Sequence, residues 1–123
     1  MISGSVDGTP EAWLVLRLRG PKGAIQNVRG MIDTGYTGRL ALPRSIITAL
    51  GLVGTQQGTA VLADGTTIRF NVYPVEVFWG HGWRLVTASE IGDTPLVGMD
   101  FLYGHRLTMD IVPGGVVEIV PIP

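Results

Sequence analysis

The sequence predicts a mostly β fold, and three observations carry that prediction. First, 18 glycines and 8 prolines punctuate short runs of valine, isoleucine, leucine and aromatic residues, the composition of strands joined by tight turns. Second, Leu14, Leu16 and Leu18 alternate with Val15, Arg17 and Arg19, the period of two expected of a half-buried strand. Third, Asp64-Gly65 and Pro113-Gly114-Gly115 stand between β-prone runs, where they supply the chemistry of hairpin turns. Only short helices can be placed.

The first alternating strand opens at Trp13 and directs its leucine face at a core. Gly20-Pro21-Lys22-Gly23 turns the chain, and Ala24 to Ile32 returns as a second strand that ends at Asp33. Leu40 to Pro43 reads as a short strand. Ile46, Ile47 and Leu50 fall at helical spacing and predict a helix from about Arg44 to Leu50, stopped by Gly51. The Val61–Ile68 stretch carries the Asp64-Gly65 turn, whose tip should project. Ile68 through Trp79 continues as a long strand, and Trp83 to Ala88 pairs back across Gly80-His81-Gly82. Leu96-Val97-Gly98 is a brief apolar strand, followed by one or two helical turns from Met99 to Tyr103 that Gly104 stops. Leu107 to Val112 and Val116 to Val120 form a last hairpin. No tandem repeat, linker or low-complexity segment interrupts this order.

A chain of 123 residues without cysteine suits one compact domain over 1–123 and is too short for two of ordinary size. Disulfides and thiol chemistry are excluded. Nine basic against 10 acidic residues leave no basic stripe to neutralise a phosphate backbone, so no nucleic-acid partner is expected. The start MISGSVDGTPE lacks the pattern of a secretory signal, and no apolar run approaches the roughly 20 residues of a membrane helix. A cytoplasmic protein with no membrane partner is the expectation.

Met31-Ile32-Asp33-Thr34-Gly35-Tyr36-Thr37-Gly38 places a carboxylate where an apolar strand gives way to glycines. Taken alone, Asp-Thr-Gly is a turn whose carboxylate accepts backbone N–H bonds. Its position argues for more. The acid directly follows a core strand, and Gly35 lets the backbone come close and offer its N–H.

With a second motif, Pro95-Leu96-Val97-Gly98-Met99-Asp100-Phe101-Leu102, the chain resembles the retroviral-type aspartic proteases, a retropepsin-like superfamily that includes cellular and prokaryotic single-domain members. Order and spacing both agree. The Asp64-Gly65 hairpin lies between the motifs, where the family places its flap, and the Trp13–Ile32 hairpin lies before them. The resemblance implies a small closed β-barrel-like acid-protease domain with a flap hairpin. It also implies a homodimer, because one domain contributes a single catalytic aspartate and the family's site forms where two copies meet. Asp33 would be that aspartate, Thr34 would brace the two loops across the axis, and Gly35 would bring its amide to the carboxylate. Gly98 would lie where backbones pack tightly behind the site; the bland reading is an ordinary strand-end glycine. Ala63, Asp64 and Gly65 would close over an extended peptide substrate, and as a plain hairpin turn they would look the same. No cofactor and no metal are implied.

Two departures stand out. Viral members often carry an acid four residues beyond the catalytic aspartate and an arginine directly after the second-motif glycine, which pair to steady the dimer. Here those positions are Thr37 and Met99. Asp100 could accept hydrogen bonds in their place, or cap a short helix.

Other candidates carry less. His81 and His105 are the only histidines, and without cysteine they cannot make a standard structural zinc site; each reads as a loop or packing residue. Ser45 and Ser89 lack a nucleophile setting, and Gly51 to Gly58 lacks the Lys-Ser/Thr ending of a phosphate loop. Trp79 and Trp83 read as core packing or as a sticky dimer surface. Two other classes compete with an aspartic endopeptidase: an inactive module that grips an extended peptide by strand addition, and a structural or dimerising β-domain. Intact Asp33, Thr34 and Gly35 favour the enzyme, since a pure binder has no need of a proton-sharing carboxylate pair. An apolar cleft, with preference for hydrophobic side chains beside the cut, is the only substrate expectation the composition supports.

Overall fold

The computed structural model describes residues 2–123. Among them lie ten strands and two short helices: β1 (Ile2–Val6), β2 (Ala12–Arg19), β3 (Ile25–Ile32), β4 (Leu40–Leu42), α1 (Arg44–Ala49), β5 (Gln56–Val61), β6 (Thr67–Trp79), β7 (Gly82–Glu90), β8 (Leu96–Val97), α2 (Met99–Leu102), β9 (His105–Met109) and β10 (Val116–Pro121). The strands join in the order β5-β6-β7-β4-β8-β3-β2-β1-β10-β9. A further pairing of β6 with β2, Arg17↔Phe78 to Arg19↔Glu76, closes β6, β7, β4, β8, β3 and β2 into a mixed barrel. The β3–β8 and β4–β7 pairs are parallel and the rest antiparallel. No helix is long and apolar enough to cross a membrane, among the described residues.

Closure depends on two long strands that change partner along one edge. The first half of β2 pairs with β1 (Gly4↔Leu14) and its second half with β6. β6 likewise pairs first with β5 and then with β2. At the β2–β6 seam Arg19 donates two hydrogen bonds to Glu76, 3.0 and 2.9 Å, and its guanidinium lies 4.0 Å from the Trp83 ring centroid. A planar guanidinium suits this double role. The ion pair holds Glu76 below the ordinary carboxylate range, with the Arg19 hydrogen bonds as the main cause.

The barrel interior is one apolar cluster. Leu14, Leu16 and Leu18 are buried while Val15 and Arg17 are exposed, as the alternation predicts. Val75, Val77, Val86 and Ala88 of the neighbouring β6 and β7 add to it, and Phe101 of α2 packs into it with no exposed surface. The two helices take the places the sequence predicts; Ile47 of α1 and Phe101 and Leu102 of α2 are buried.

Three strands depart from the sequence reading, of which β9 starts at His105 and ends at Met109 where Leu107 to Val112 was expected. Residues Ile2–Val6 form β1, although ISGSV has weak strand propensity. Pairing on both sides, with β2 and with β10, supplies what propensity lacks. β5 begins at Gln56 rather than Val61, because Gln56 to Val61 pair in full register with Thr67 to Val72. Its polar, glycine-containing sequence masks a strand that tertiary pairing makes.

Candidate active site

Asp33 stands one residue past the end of β3, and two sets of backbone bonds fix it there. Met31 and Ile32 pair with Leu96 and Val97 of β8, and the Asp33 N–H donates to the Val97 carbonyl at 3.0 Å. On the far side, β8 pairs with β4 through Leu40↔Val97 and Ala41↔Leu96. The two-residue β8 is therefore threaded between the strands that enter and leave the Asp33 loop. The loop cannot shift without breaking a central strand.

The carboxylate is held from below. Oδ1 of Asp33 accepts the Gly35 N–H at 2.9 Å, and the Asp33 carbonyl accepts the Tyr36 N–H at 3.1 Å. A side chain at Gly35 would place its Cβ 3.2 Å from Oδ1, so glycine there keeps the carboxylate uncrowded. Thr34 and Gly35 are exposed and Asp33 is half-buried. The acid thus presents an open face rather than a buried, fully satisfied one.

The two motifs interlock behind it. Gly98 donates its N–H to the Arg39 carbonyl at 2.8 Å, Met99 to the Tyr36 carbonyl at 2.8 Å, and Asp100 to the Gly38 carbonyl at 3.2 Å. A Cβ at position 98 would fall inside the Gly38 carbonyl oxygen and 2.6 Å from the Tyr36 ring. Glycine is required by close backbone approach, at an extended φ of −97°. The same contact carries an ion pair that the sequence reading missed: Arg39 Nε donates to Asp100 Oδ2 at 2.9 Å. Asp100 therefore pairs with Arg39, and α2 has no side-chain cap. Its partner, six residues past Asp33, has no signal in the sequence beyond its charge.

A cavity of about 330 Å³ opens beside Asp33 and Thr34, walled by Met31, Ile32, Glu11 and Ile111. Pro10, Glu11 and Ala12 also wall it, without a signal in the sequence, and Asp7 braces the segment that carries them. Asp7 Oδ1 accepts the Thr9 and Glu11 N–H groups at 3.0 and 2.9 Å, and Oδ2 accepts the Trp13 indole N–H at 2.8 Å. These bonds, the Glu11 amide first, lower the Asp7 pKa from the ordinary 3.8 to about 2. Asp-x-Thr is a recognisable turn signal, but nothing local shows that it braces a cavity wall.

Because the folded state holds Asp7 below its ordinary value, its bonds add stability above about pH 3.8, and that stability is lost as pH falls through about 2. Asp7→Asn is therefore expected to lower the melting temperature at neutral pH, with the gap to the unsubstituted protein closing towards pH 2. Thermal melts across that range check it; a gap independent of pH would refute the assignment.

The hairpin tip carrying Ala63, Asp64 and Gly65 is exposed throughout and projects beyond the barrel. Thr66 donates its N–H and hydroxyl to Asp64 Oδ1 at 2.9 and 2.6 Å, which lowers the Asp64 pKa. The structure brings Asp33, Thr34, Gly35 and Gly98 together. The tip residues do not line the cavity beside Asp33 within one chain. Groups of three or more histidines and acids placed to hold a metal ion are absent among the described residues.

This architecture matches a crystal structure of a retropepsin-like aspartic protease from Rickettsia conorii, with a TM-score of 0.60 at 15% identity over 99% of this chain and 91% of that one. The chain has the retropepsin-like aspartic protease fold. No protein-family model and no curated protein matches it.

Proposed function

We propose that the protein is an aspartic endopeptidase acting as a homodimer, with Asp33 as its catalytic residue. The observation that carries this reading is the half-exposed Asp33 at the rim of a cavity, its carboxylate held by the Gly35 N–H and its backbone N–H by the Val97 carbonyl, in a chain with the retropepsin-like fold. A single chain has one such acid. A second copy meeting it about a two-fold axis would supply the other, with Thr34 of each copy bracing the loops.

Two carboxylates a few ångströms apart cannot both ionise readily, and the aspartic-protease pair is the established case of two such groups sharing one proton. The ionised member accepts a proton from water as that water's oxygen attacks the scissile carbonyl carbon. The protonated member donates its proton to the carbonyl oxygen. When the C–N bond breaks, the leaving nitrogen takes the proton from the pair, and a hydroxyl of the tetrahedral intermediate returns one to it as the carboxylic acid forms. No covalent enzyme intermediate forms, and Thr34 and Gly35 act only by position.

The projecting Ala63-Asp64-Gly65 hairpin would close over the extended peptide and exclude water, reaching the cleft only in the dimer. Ile32, Met31 and Ile111 in the cavity wall support a preference for apolar side chains beside the cut. Incubating an unbiased peptide library with the protein from roughly pH 3 to 8, with the oligomeric state measured in parallel, tests the reading. Cleavage by the dimer supports it; a dimer that cleaves nothing overturns it.

A second reading has its own observation. The outer edge of β5 is unpaired, and an extended peptide could add there as a strand without being cut.

A further inference from the structure

A second cavity is larger than the one beside Asp33. It measures about 460 Å³ and lies at the other end of the β9–β10 hairpin, where His105 and Pro121 line it. The two cavities share no lining residue. Both histidines of the chain and two of its 3 tryptophans border it, a concentration that core packing alone does not require.

β6 and β7 explain how these groups meet. Val75, Val77 and Val86 face the barrel interior, and strand alternation puts Trp79 and Arg84 on the same inward side at the open end. Trp79 stands edge-on to Phe101, with ring centroids 4.5 Å apart. Its indole N–H can only donate, so His105 Nε2 accepts it at 3.3 Å. Nδ1 then carries the proton and donates to the Tyr103 carbonyl at 3.1 Å. In this arrangement His105 fixes the Trp79 ring.

Arg84 supplies the charge. Its guanidinium carbon lies 5.6 Å from the Phe101 ring centroid, and no carboxylate pairs with it among the described residues. No acidic residue lines the cavity, whose remaining wall includes Ile2 and Ile119. The volume lies within the range of small-molecule sites, about 300–1,000 Å³. An unpaired guanidinium beside a fixed aromatic wall is complementary to a flat apolar body carrying a carboxylate.

We propose that this cavity binds a small aromatic carboxylate, its ring against Trp79 and its carboxylate on Arg84. The site is independent of peptide hydrolysis, so its test reads binding and not activity. Calorimetric titration with 2-naphthoate and with its neutral amide, followed by the tryptophan indole signals in nitrogen-15 NMR spectra, decides it. The acid is expected to bind with Kd on the order of 1 mM or tighter, and the amide at least about tenfold more weakly. The Trp79 indole signal should shift, Arg84→Gln should weaken the acid at least about tenfold, and Arg84→Lys should restore part of the loss. Absence of binding up to about 10 mM, equal affinity for acid and amide, or shifts confined to Ile32 and Thr34 would each overturn the proposal. If Arg84→Gln fails to fold, the acid and amide compared on the unsubstituted protein still give the answer.

Discussion

Asp33→Asn is expected to remove peptide hydrolysis, by at least about 10⁴-fold, while leaving the fold and the dimer in place. The size follows from the double role of one position. In a homodimer the substitution removes both the base that activates water and the acid that protonates the carbonyl, and each such role is worth roughly 10² to 10⁴ in rate. The fold should survive because the carboxylate's one intrachain hydrogen bond, Gly35 N–H to Oδ1, can be accepted equally by an amide oxygen. Oligomeric state and melting temperature are therefore the controls for the rate. A variant that still cleaves within tenfold of the unsubstituted protein would remove Asp33 from the mechanism.

Gly98→Ala is expected to destabilise the protein by about 3 kcal/mol, a large effect for one methyl group. Space that fills with side chain can often relax, but here the new Cβ meets the Gly38 carbonyl and the Tyr36 ring and carbonyl. Both carbonyls are already engaged, by the N–H groups of Asp100 and Met99. Retreat would break those bonds, and the displacement would pass along Val97 to the Asp33 amide. Activity per folded molecule should fall too, which separates this change from a simple cavity mutation. Urea unfolding measures the first effect; a loss under about 0.5 kcal/mol would mean that the loop yields.

Much of this was legible because it rests on local pattern. The leucine alternation of β2, the Asp64-Gly65 turn and the helix at Ile46, Ile47 and Leu50 each carry a signal within a few residues. The placement of Asp33, Thr34, Gly35 and Gly98 in one locus could be inferred because two short motifs resemble a known pair. What the sequence hid depends on distant partners. β1 is a strand because β10 and β2 flank it, Arg39 matters because Asp100 reaches it, and Pro10 to Ala12 form a cavity wall because the barrel closes beside them. No local propensity encodes such meetings.

The threading of β8 between β3 and β4 has a kinetic consequence. Its two residues have no hairpin partner and can be placed only after strands far apart in the chain have come together, so the pairings that set Asp33 have high contact order and should form late. By the same logic they open only when the whole barrel does. The Asp33 and Gly98 amides should then exchange with solvent deuterium through global unfolding, with protection equal to the full unfolding free energy, whereas the amides of the projecting β5–β6 turn should exchange through local fraying. A protein built this way holds its carboxylate rigid and its hairpin loose within one chain, with no partially folded form that keeps the first and loses the barrel.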